Sequence, residues 1–165
     1  MILALGGIGL ADQLTKAWVL KTITLNSVGF RFWGDFLWIV HTRNLGIAFS
    51  IGDGLNGVLR TGLFIILPLI FLVLAVLYCA RSKDMTGFQR LAISILAGGG
   101  FGNLIDRILR PDGVVDFISF KFYGILGMER FPTFNVADMC ISVGAVLVLL
   151  SGLGLEWGKK DGKRD

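Results

Sequence analysis

Residues 58–80 read VLRTGLFIILPLIFLVLAVLYCA, and this stretch decides the class of fold. A helix that crosses a bilayer needs about 20 mostly apolar residues. The stretch reaches that length with one charged residue, Arg60, close to its start. It also contains Pro68, which helices in membranes tolerate. Residues 58–80 are therefore predicted to form a transmembrane helix.

The composition of the whole chain also indicates a membrane protein. Charged residues make up 17% of the 165 residues, against about 25% in a soluble domain, and hydrophobic residues make up 54%. The mean hydropathy of +0.73 excludes a disordered chain, and the 23 glycines follow no three-residue repeat, which excludes collagen. With two cysteines and one histidine, neither a disulfide framework nor a zinc-ligand set is visible, and we expect no metal and no other cofactor.

Four stretches of the chain are predicted to cross the membrane. They are residues 1–21, 58–80, 89–109 and 133–157. The first could instead be a cleaved signal peptide, but it lacks a basic start and carries Asp12 and Lys16 in what would be its apolar core. We therefore expect an all-α membrane protein with four transmembrane helices in a single domain, residues 1–165.

The basic residues predict which side of the membrane faces the cytoplasm. The link 81–84 (RSKD) and the tail 158–165 (GKKDGKRD) are both basic, and four spans place them on the same side. By the positive-inside rule that side is the cytoplasm, so both termini are expected there. The pI near 9.3 then reflects topology, because no basic stripe with interleaved aromatic residues indicates a nucleic-acid partner.

Two segments, 22–57 and 110–132, are then predicted to lie outside the cytoplasm. Within the first, residues 30–40 (FRFWGDFLWIV) partly alternate and are rich in aromatic and β-branched residues, which predicts short strands on the membrane face. Trp33 and Trp38 suit the aromatic belt at the membrane surface. The second segment is interpreted as a loop.

Charged residues inside a span cost about 2.5–3.5 kcal/mol each on insertion scales, so each one needs a physical reason. Asp12 and Lys16 lie four residues apart on one helix face, where they either neutralise each other or take part in chemistry or transport. Asn103, Asp106 and Arg107 are three and four residues apart, so they project together. For these three the alternative is a helix-packing cluster with a snorkelling arginine.

Two aspartates are expected near the outer membrane surface. Asp116 follows a turn in the outer loop, where an exposed carboxylate is the simpler interpretation. Asp138 falls in the first turn of the last span, where Thr133 or Asn135 would be the N-cap and the helix dipole favours a carboxylate. The predicted topology brings the two aspartates to one depth. A close carboxylate pair shares a proton, so one member can activate water while the other protonates a carbonyl oxygen, as in aspartic proteases.

Five short blocks stand in order along the chain. They are 12–16 (DQLTK), 44–50 (NLGIAFS), 99–107 (GGFGNLIDR), 114–118 (VVDFI) and 134–138 (FNVAD). One such block would be a weak signal, but five in order on a four-span chain are specific. In these blocks the chain resembles the bacterial lipoprotein signal peptidase family, also called signal peptidase II.

This resemblance implies a four-helix membrane aspartic endopeptidase with an extracytoplasmic β-cradle, in the bacterial inner membrane. Such enzymes remove signal peptides from diacylglyceryl-modified prolipoproteins by cutting just before the lipidated cysteine. By position, the catalytic pair would be Asp116 and Asp138. The residues expected to bind substrate or support the site are Asn44, Gly46, Asn103, Asp106, Arg107 and Asn135, with Asp12 and Lys16 as a structural or supporting pair. The expected partners are the prolipoprotein, membrane lipid and a cyclic peptide inhibitor such as globomycin, and a monomer is expected because no oligomer signature is visible.

Other classes of function remain open from the residues alone. A small transporter would use the charges of the first and third spans as an intramembrane relay, which requires them near the middle of the bilayer. A non-catalytic membrane scaffold would need no aspartate pair. A serine protease built on Ser50 and His41 lacks a third orienting group, and a metalloprotease helix needs two histidines where the chain has one.

Overall fold

The computed structural model describes residues 2–45 and 57–155 of the chain. In these ranges the protein is mostly helical and carries a small three-stranded antiparallel sheet, as predicted in outline. The elements follow in the order α1 (Ile2–Thr22), β1 (Ser27–Phe32), β2 (Leu37–Asn44), α2 (Gly57–Thr61), α3 (Leu67–Arg81), α4 (Gly87–Leu109), β3 (Val114–Phe120) and α5 (Val136–Gly152). The basic tail 158–165 lies outside the described residues, so its cytoplasmic position stays a prediction.

Two of the described helical stretches are long and apolar enough to cross a membrane, Gly57–Arg81 and Gly87–Leu109. The first joins α2 to α3 through a π-helical turn, Gly62–Ile66, which ends just before Pro68. Both stretches match the spans predicted at 58–80 and 89–109. The apolar side chains that α3 leaves exposed include Leu69, Ile70, Phe71, Val73 and Leu74. An apolar surface of this kind suits contact with lipid.

The other two predicted spans differ from the expectation. α5 is apolar but shorter than the predicted 133–157, because Asn135 caps its start and the helix ends at Gly152. α1 runs from Ile2 to Thr22, close to the predicted 1–21, yet Asp12 and Lys16 lower its hydropathy below that of the two apolar spans.

Close contacts between helices hold α5 in place. α4 packs against both α1 and α5. A Cβ atom at Gly99 of α4 would collide with the backbone oxygen of Ala137, and one at Gly144 of α5 would lie 2.5 Å from the backbone nitrogen of Leu96. On the face towards α1, Gly98 and Gly102 also allow a close approach, as small residues four apart do between membrane helices.

The sheet has the order β1-β2-β3, and all its pairings are antiparallel. The predicted strand region 30–40 contains the end of β1, a turn and the start of β2. β3 was not predicted, because the strand is buried over most of its length and so lacks the alternating pattern of a half-exposed strand. His41, the histidine considered for a serine protease, lies in β2. A bulge between Ile39 and Thr42 shifts the register.

Candidate active site

A cavity of about 840 Å³ opens between the sheet, the C-terminal end of α4 and the start of α5. Its polar lining includes Thr42, Asn44, Asn103, Arg107, Asp116 and Asp138. The fold thus brings five of the predicted site residues to one place: Asn44, Asn103, Arg107, Asp116 and Asp138. Gly46 and Ser50 lie outside the described residues.

Asp116 reaches this cavity from β3, where it pairs with Thr42 of β2. Because it lies in a strand and is 3% exposed, the prediction that it is an exposed residue of a loop was wrong. Its Oδ1 accepts a hydrogen bond from Asn135 Nδ2 at 2.7 Å, and its Oδ2 accepts one from Asn44 Nδ2 at 3.1 Å. These two hydrogen bonds therefore hold the carboxyl group of Asp116 in one orientation.

The pKa of Asp116 is raised from 3.8 to about 7, first by burial and then by the negative charge of Asp138. The hydrogen bonds from Asn44 and Asn135 act in the opposite direction, because they favour the charged form. A carboxyl group with this pKa exchanges its proton near neutral pH, which suits general acid–base chemistry.

Asp138 is held by the cap of α5. Asn135 Oδ1 accepts the backbone N–H of Asp138 at 2.9 Å, and Asp138 Oδ2 accepts the backbone N–H of Asn135 at 3.1 Å. This reciprocal pair is a capping box, and it confirms Asn135 rather than Thr133 as the N-cap. The other oxygen of Asp138, Oδ1, faces α4 and accepts a hydrogen bond from Asn103 Nδ2 at 2.7 Å.

Two asparagines connect the aspartates. Asn135 Nδ2 donates to Asn103 Oδ1 at 3.1 Å as well as to Asp116. A continuous chain of hydrogen bonds therefore runs from Asp116 through Asn135 and Asn103 to Asp138. Asn135 is fully buried and Asn103 is 4% exposed, so water does not compete for these bonds.

Lys16 lies beneath this chain and is fully buried. Its Nζ donates to Asn103 Oδ1 at 2.9 Å and forms ion pairs with Asp12 at 2.8 Å and Asp106 at 3.1 Å. Asp12 in turn accepts the backbone N–H of Ala137 at 2.9 Å, next to Asp138. The predicted pair Asp12–Lys16 is thus formed, and it is connected to residues on both α4 and α5.

Asp106 connects the buried charges to β3. Its Oδ2 accepts the backbone N–H of Val115 at 3.0 Å, and its Oδ1 accepts Gln13 Nε2 at 2.9 Å and the guanidinium of Arg110. The sequence interpretation missed Gln13 and Arg110 as parts of this network. A signal was available for Arg110, because it follows Asp106 by four residues on the same helix.

The remaining cavity walls come from the sheet and from the segment between β3 and α5. Thr42 Oγ1 lies 3.1 Å from Thr133 Oγ1 and donates to the backbone oxygen of Asp116 at 3.1 Å. Phe120 stacks on Phe131 with ring centroids 4.9 Å apart. The sequence interpretation did not single out these contacts, and those of Thr42 join parts of the chain 74 and 91 residues apart.

Arg107 lies at the cavity, where its charge interacts with Asp138, Asp116 and Asp106, in that order of strength. His41 does not belong to the cavity lining within the described residues, and its Nδ1 lies 2.8 Å from the backbone oxygen of Ile23. The arrangement therefore offers no support for a serine protease that uses His41. It can instead hold two carboxylates, their hydrogen-bond donors and a guanidinium around one cavity.

Comparisons with known proteins identify what this arrangement is similar to. A family model described as signal peptidase (SPase) II matches residues 4–153. A lipoprotein signal peptidase of Treponema pallidum (strain Nichols) is 47% identical over 91% of this chain and 81% of the relative, and that of Borreliella afzelii (strain PKo) is 43% identical over 84% and 81%. Two solved structures described as a bacterial membrane enzyme match with TM-scores of 0.80 and 0.77. Their identities are 32% and 34%, over 99% and 92% of this chain and 93% and 91% of those chains.

Proposed function

The chain belongs to the signal peptidase II family, and we propose that Asp116 and Asp138 are the two carboxylates that perform its chemistry. Membership makes the protein an aspartic peptidase of the bacterial inner membrane that removes signal peptides from prolipoproteins. What remains to be assigned is the role of each side chain around the cavity.

The observation that carries the proposal is the hydrogen-bond chain from Asp116 to Asp138 through two buried asparagines. Aspartic peptidases need two carboxylates that share a proton at a fixed separation. The amide donors hold each carboxylate in one orientation, and the raised pKa of Asp116 supplies a group that keeps a proton near neutral pH. Preorganisation of this kind lowers the cost of reaching the transition state.

We assign the shared proton to Asp116 and the role of base to Asp138. Asp138 takes a proton from a water molecule in the cavity, and the water oxygen attacks the carbonyl carbon of the scissile amide. Asp116 donates its proton to the carbonyl oxygen, which gives a neutral tetrahedral intermediate. As the C–N bond breaks, the proton held by Asp138 goes to the leaving nitrogen and Asp116 regains its own, so both carboxyl groups return to their starting states.

Arg107, Asn44 and Asn103 are proposed to bind the substrate around this pair. Arg107 adds a positive charge beside the two carboxylates, and the side-chain amides offer hydrogen bonds that match a peptide backbone. The cavity continues along α5 past Met139, Ile141 and Val143. We propose that this apolar side takes the lipid-modified part of the substrate, and that globomycin occupies the same cavity.

We further propose that the chain is a monomeric single domain with four transmembrane helices and both termini in the cytoplasm. α3 and α4 have the length and apolarity of spans, and α1 and α5 pack against α4 in the same bundle. Within residues 2–45 and 57–155, Lys16 already pairs with both Asp12 and Asp106, which favours a structural role for these charges over a transport relay.

The test uses the purified full chain in detergent with a diacylglyceryl-modified prolipoprotein, followed by the mass shift on a gel. The parent is expected to cleave the substrate, and Asp116→Asn and Asp138→Asn are expected to show no detectable cleavage. The matched control is Asp112→Asn, because Asp112 is an exposed aspartate in the same outer segment. Normal turnover in either cavity variant would overturn the assignment of the pair.

A second measurement tests the proposed lipid contact. The same prolipoprotein with an unmodified cysteine is expected to be cleaved more slowly, because it cannot bury acyl chains along the apolar side of the cavity. Equal rates for the two substrates would remove the proposed role of Met139, Ile141 and Val143.

A further inference from the structure

Asp106 lies near the end of α4, and its fully buried carboxylate is surrounded by hydrogen-bond donors. Its four donors are the backbone N–H of Val115 and the side chains of Lys16, Gln13 and Arg110. One donor, Val115, directly precedes Asp116 in β3. The position of the Asp106 carboxylate therefore bears directly on where the backbone of Asp116 lies.

The charges around Asp106 do not balance without Arg110. Asp12, Lys16 and Asp106 all have fully buried side chains, and with both carboxylates ionised their formal net charge is −1. An uncompensated charge inside a protein is costly. Arg107 interacts more strongly with Asp138 and Asp116 than with Asp106. The ion pair with Arg110 brings the buried group to neutrality.

Gln13 fixes the direction of Arg110. Its Oε1 accepts a hydrogen bond from Arg110 Nη1 at 3.0 Å, while its Nε2 donates to Asp106 Oδ1 at 2.9 Å and to the backbone oxygen of Gly102 at 3.0 Å. Arginine can only donate, so the amide oxygen must face it. The Arg110 side chain is 21% exposed, and this bridge keeps it directed at Asp106 instead of at solvent.

We propose that Arg110, oriented by Gln13, is a positioning residue for the peptidase reaction. It supplies the counter-ion that keeps the Asp106 carboxylate on the Val115 N–H, and through that bond it holds Asp116 at its place in the cavity. This inference rests on the proposed catalytic role of Asp116.

The experiment compares Arg110→Gln, Arg110→Lys and Arg90→Gln in the purified full chain. Arg90 is the matched control, since it is also on α4 and donates hydrogen bonds to the backbone of Cys79 and Ser82, far from the cavity. Misplacing a reacting group by about 1 Å can cost about 100-fold in rate, so Arg110→Gln is expected to lower kcat by between about 10- and 100-fold. KM should stay within about twofold, because substrate-binding groups are untouched. Arg110→Lys should recover most of kcat, and Arg90→Gln should keep the parental kcat.

Hydrogen exchange gives a readout that does not depend on cleavage. Arg110→Gln is expected to speed exchange of the Val115 amide, while Arg90→Gln leaves that amide protected. Parental kcat together with unchanged Val115 protection in Arg110→Gln would overturn the proposal. An equal loss of kcat in Arg90→Gln would also overturn it, because both arginines would then act through stability alone.

Two further measurements separate a failure of this proposal from a failure of the proposed function. Should Arg110→Gln not fold, Gln13→Met removes the bridge without removing a charge, and the proposal then requires a lower kcat and faster Val115 exchange in that variant. A parent that fails to cleave the modified prolipoprotein would refute the proposed function, while the exchange measurement would still decide whether Arg110 holds β3.

Discussion

Asn135 and Asp138 cap each other at the first turn of α5, with Asp138 N–H donating to Asn135 Oδ1 at 2.9 Å and Asn135 N–H donating to Asp138 Oδ2 at 3.1 Å. The same Asn135 donates its side-chain N–H to Asp116 at 2.7 Å. The cap that starts the helix is therefore also the link between the two proposed catalytic carboxylates. Stability and activity share this residue, but they depend on different atoms of it.

Replacing Asn135 separates these two contributions. Asn135→Ala removes both the cap acceptor and the donor to Asp116, so it is expected to cost about 1 kcal/mol of stability and most of the activity. Asn135→Ser restores a good N-cap but supplies no amide donor. It should therefore unfold at nearly the parental temperature while staying poorly active. Thermal unfolding in detergent and the cleavage assay measure the two effects, and parental activity in Asn135→Ser would contradict the proposed link.

The pH dependence of cleavage reports on Asp116. Its pKa of about 7 means that the proton needed for the carbonyl oxygen is present below pH 7 and is lost above it. We expect kcat/KM to fall about tenfold per pH unit on the alkaline side. Removing the Asn44 donor should raise this pKa further, because that hydrogen bond favours the charged form. The alkaline limb of Asn44→Ala should therefore move to higher pH, and a shift to lower pH would refute the assignment.

The same shift has a consequence for stability with a defined sign. The folded protein holds the Asp116 proton up to a higher pH than the unfolded chain, whose carboxyl has a pKa near 3.8. Asp116 therefore contributes stability below pH 3.8 that is lost as the pH rises towards 7. Between those two pH values the free energy of unfolding of the parent should fall more steeply with rising pH than that of Asp116→Asn.

Replacing Lys16 tests whether the buried charges stabilise one another. Lys16→Met would leave Asp12 and Asp106 buried without their shared cation, and breaking a buried pair in this way costs about 3–5 kcal/mol. We expect a large fall in unfolding temperature and loss of cleavage. Adding Asp12→Asn removes one of the orphaned charges, so the double variant should be more stable than Lys16→Met. A double variant less stable than the single one would contradict the pairing.

Two adjacent glycines of α4 provide a matched pair for the helix contact. A Cβ atom at Gly99 would collide with the backbone of Ala137 and lie 2.9 Å from the nitrogen of Ile141, whereas one at Gly100 would meet nothing within 4 Å. Gly99→Ala is therefore expected to destabilise the protein by about 1–3 kcal/mol and to lower activity by moving the start of α5. Gly100→Ala should be neutral or slightly stabilising, because alanine is the better helix former. Equal unfolding temperatures for the two variants would exclude a tight contact at Gly99.

The sequence predicted the parts of the fold that depend on long local signals. The spans at 58–80 and 89–109 were found because they are long and apolar, and the cap at Asn135 was among two candidates because its type and position are local. β3 was missed because a strand buried over most of its length has no alternating pattern.

The candidate site depended on a different kind of signal. The predicted topology placed Asp116 and Asp138 at one depth, and the ordered blocks then marked them as the expected catalytic pair; no sequence spacing by itself would have paired them. Gln13 escaped notice because its partners Gly102 and Asp106 lie on α4, which local periodicity cannot connect to α1. The contact between Thr42 and Thr133 escaped notice for the same reason, as 91 residues separate them.

The bond between Lys16 and Asn103 joins residues 87 positions apart. During synthesis, α1 leaves the ribosome with Asp12 and Lys16 long before α4 is made, so at that stage the two charges can pair only with each other. Final docking of α1 must wait for the third long helix, and a contact so distant in sequence forms late. Variants that weaken the contact between Lys16 and Asn103 would therefore be degraded by quality-control proteases as unassembled nascent chains. Their effect in the cell would be a lower amount of the protein and not a lower rate per molecule.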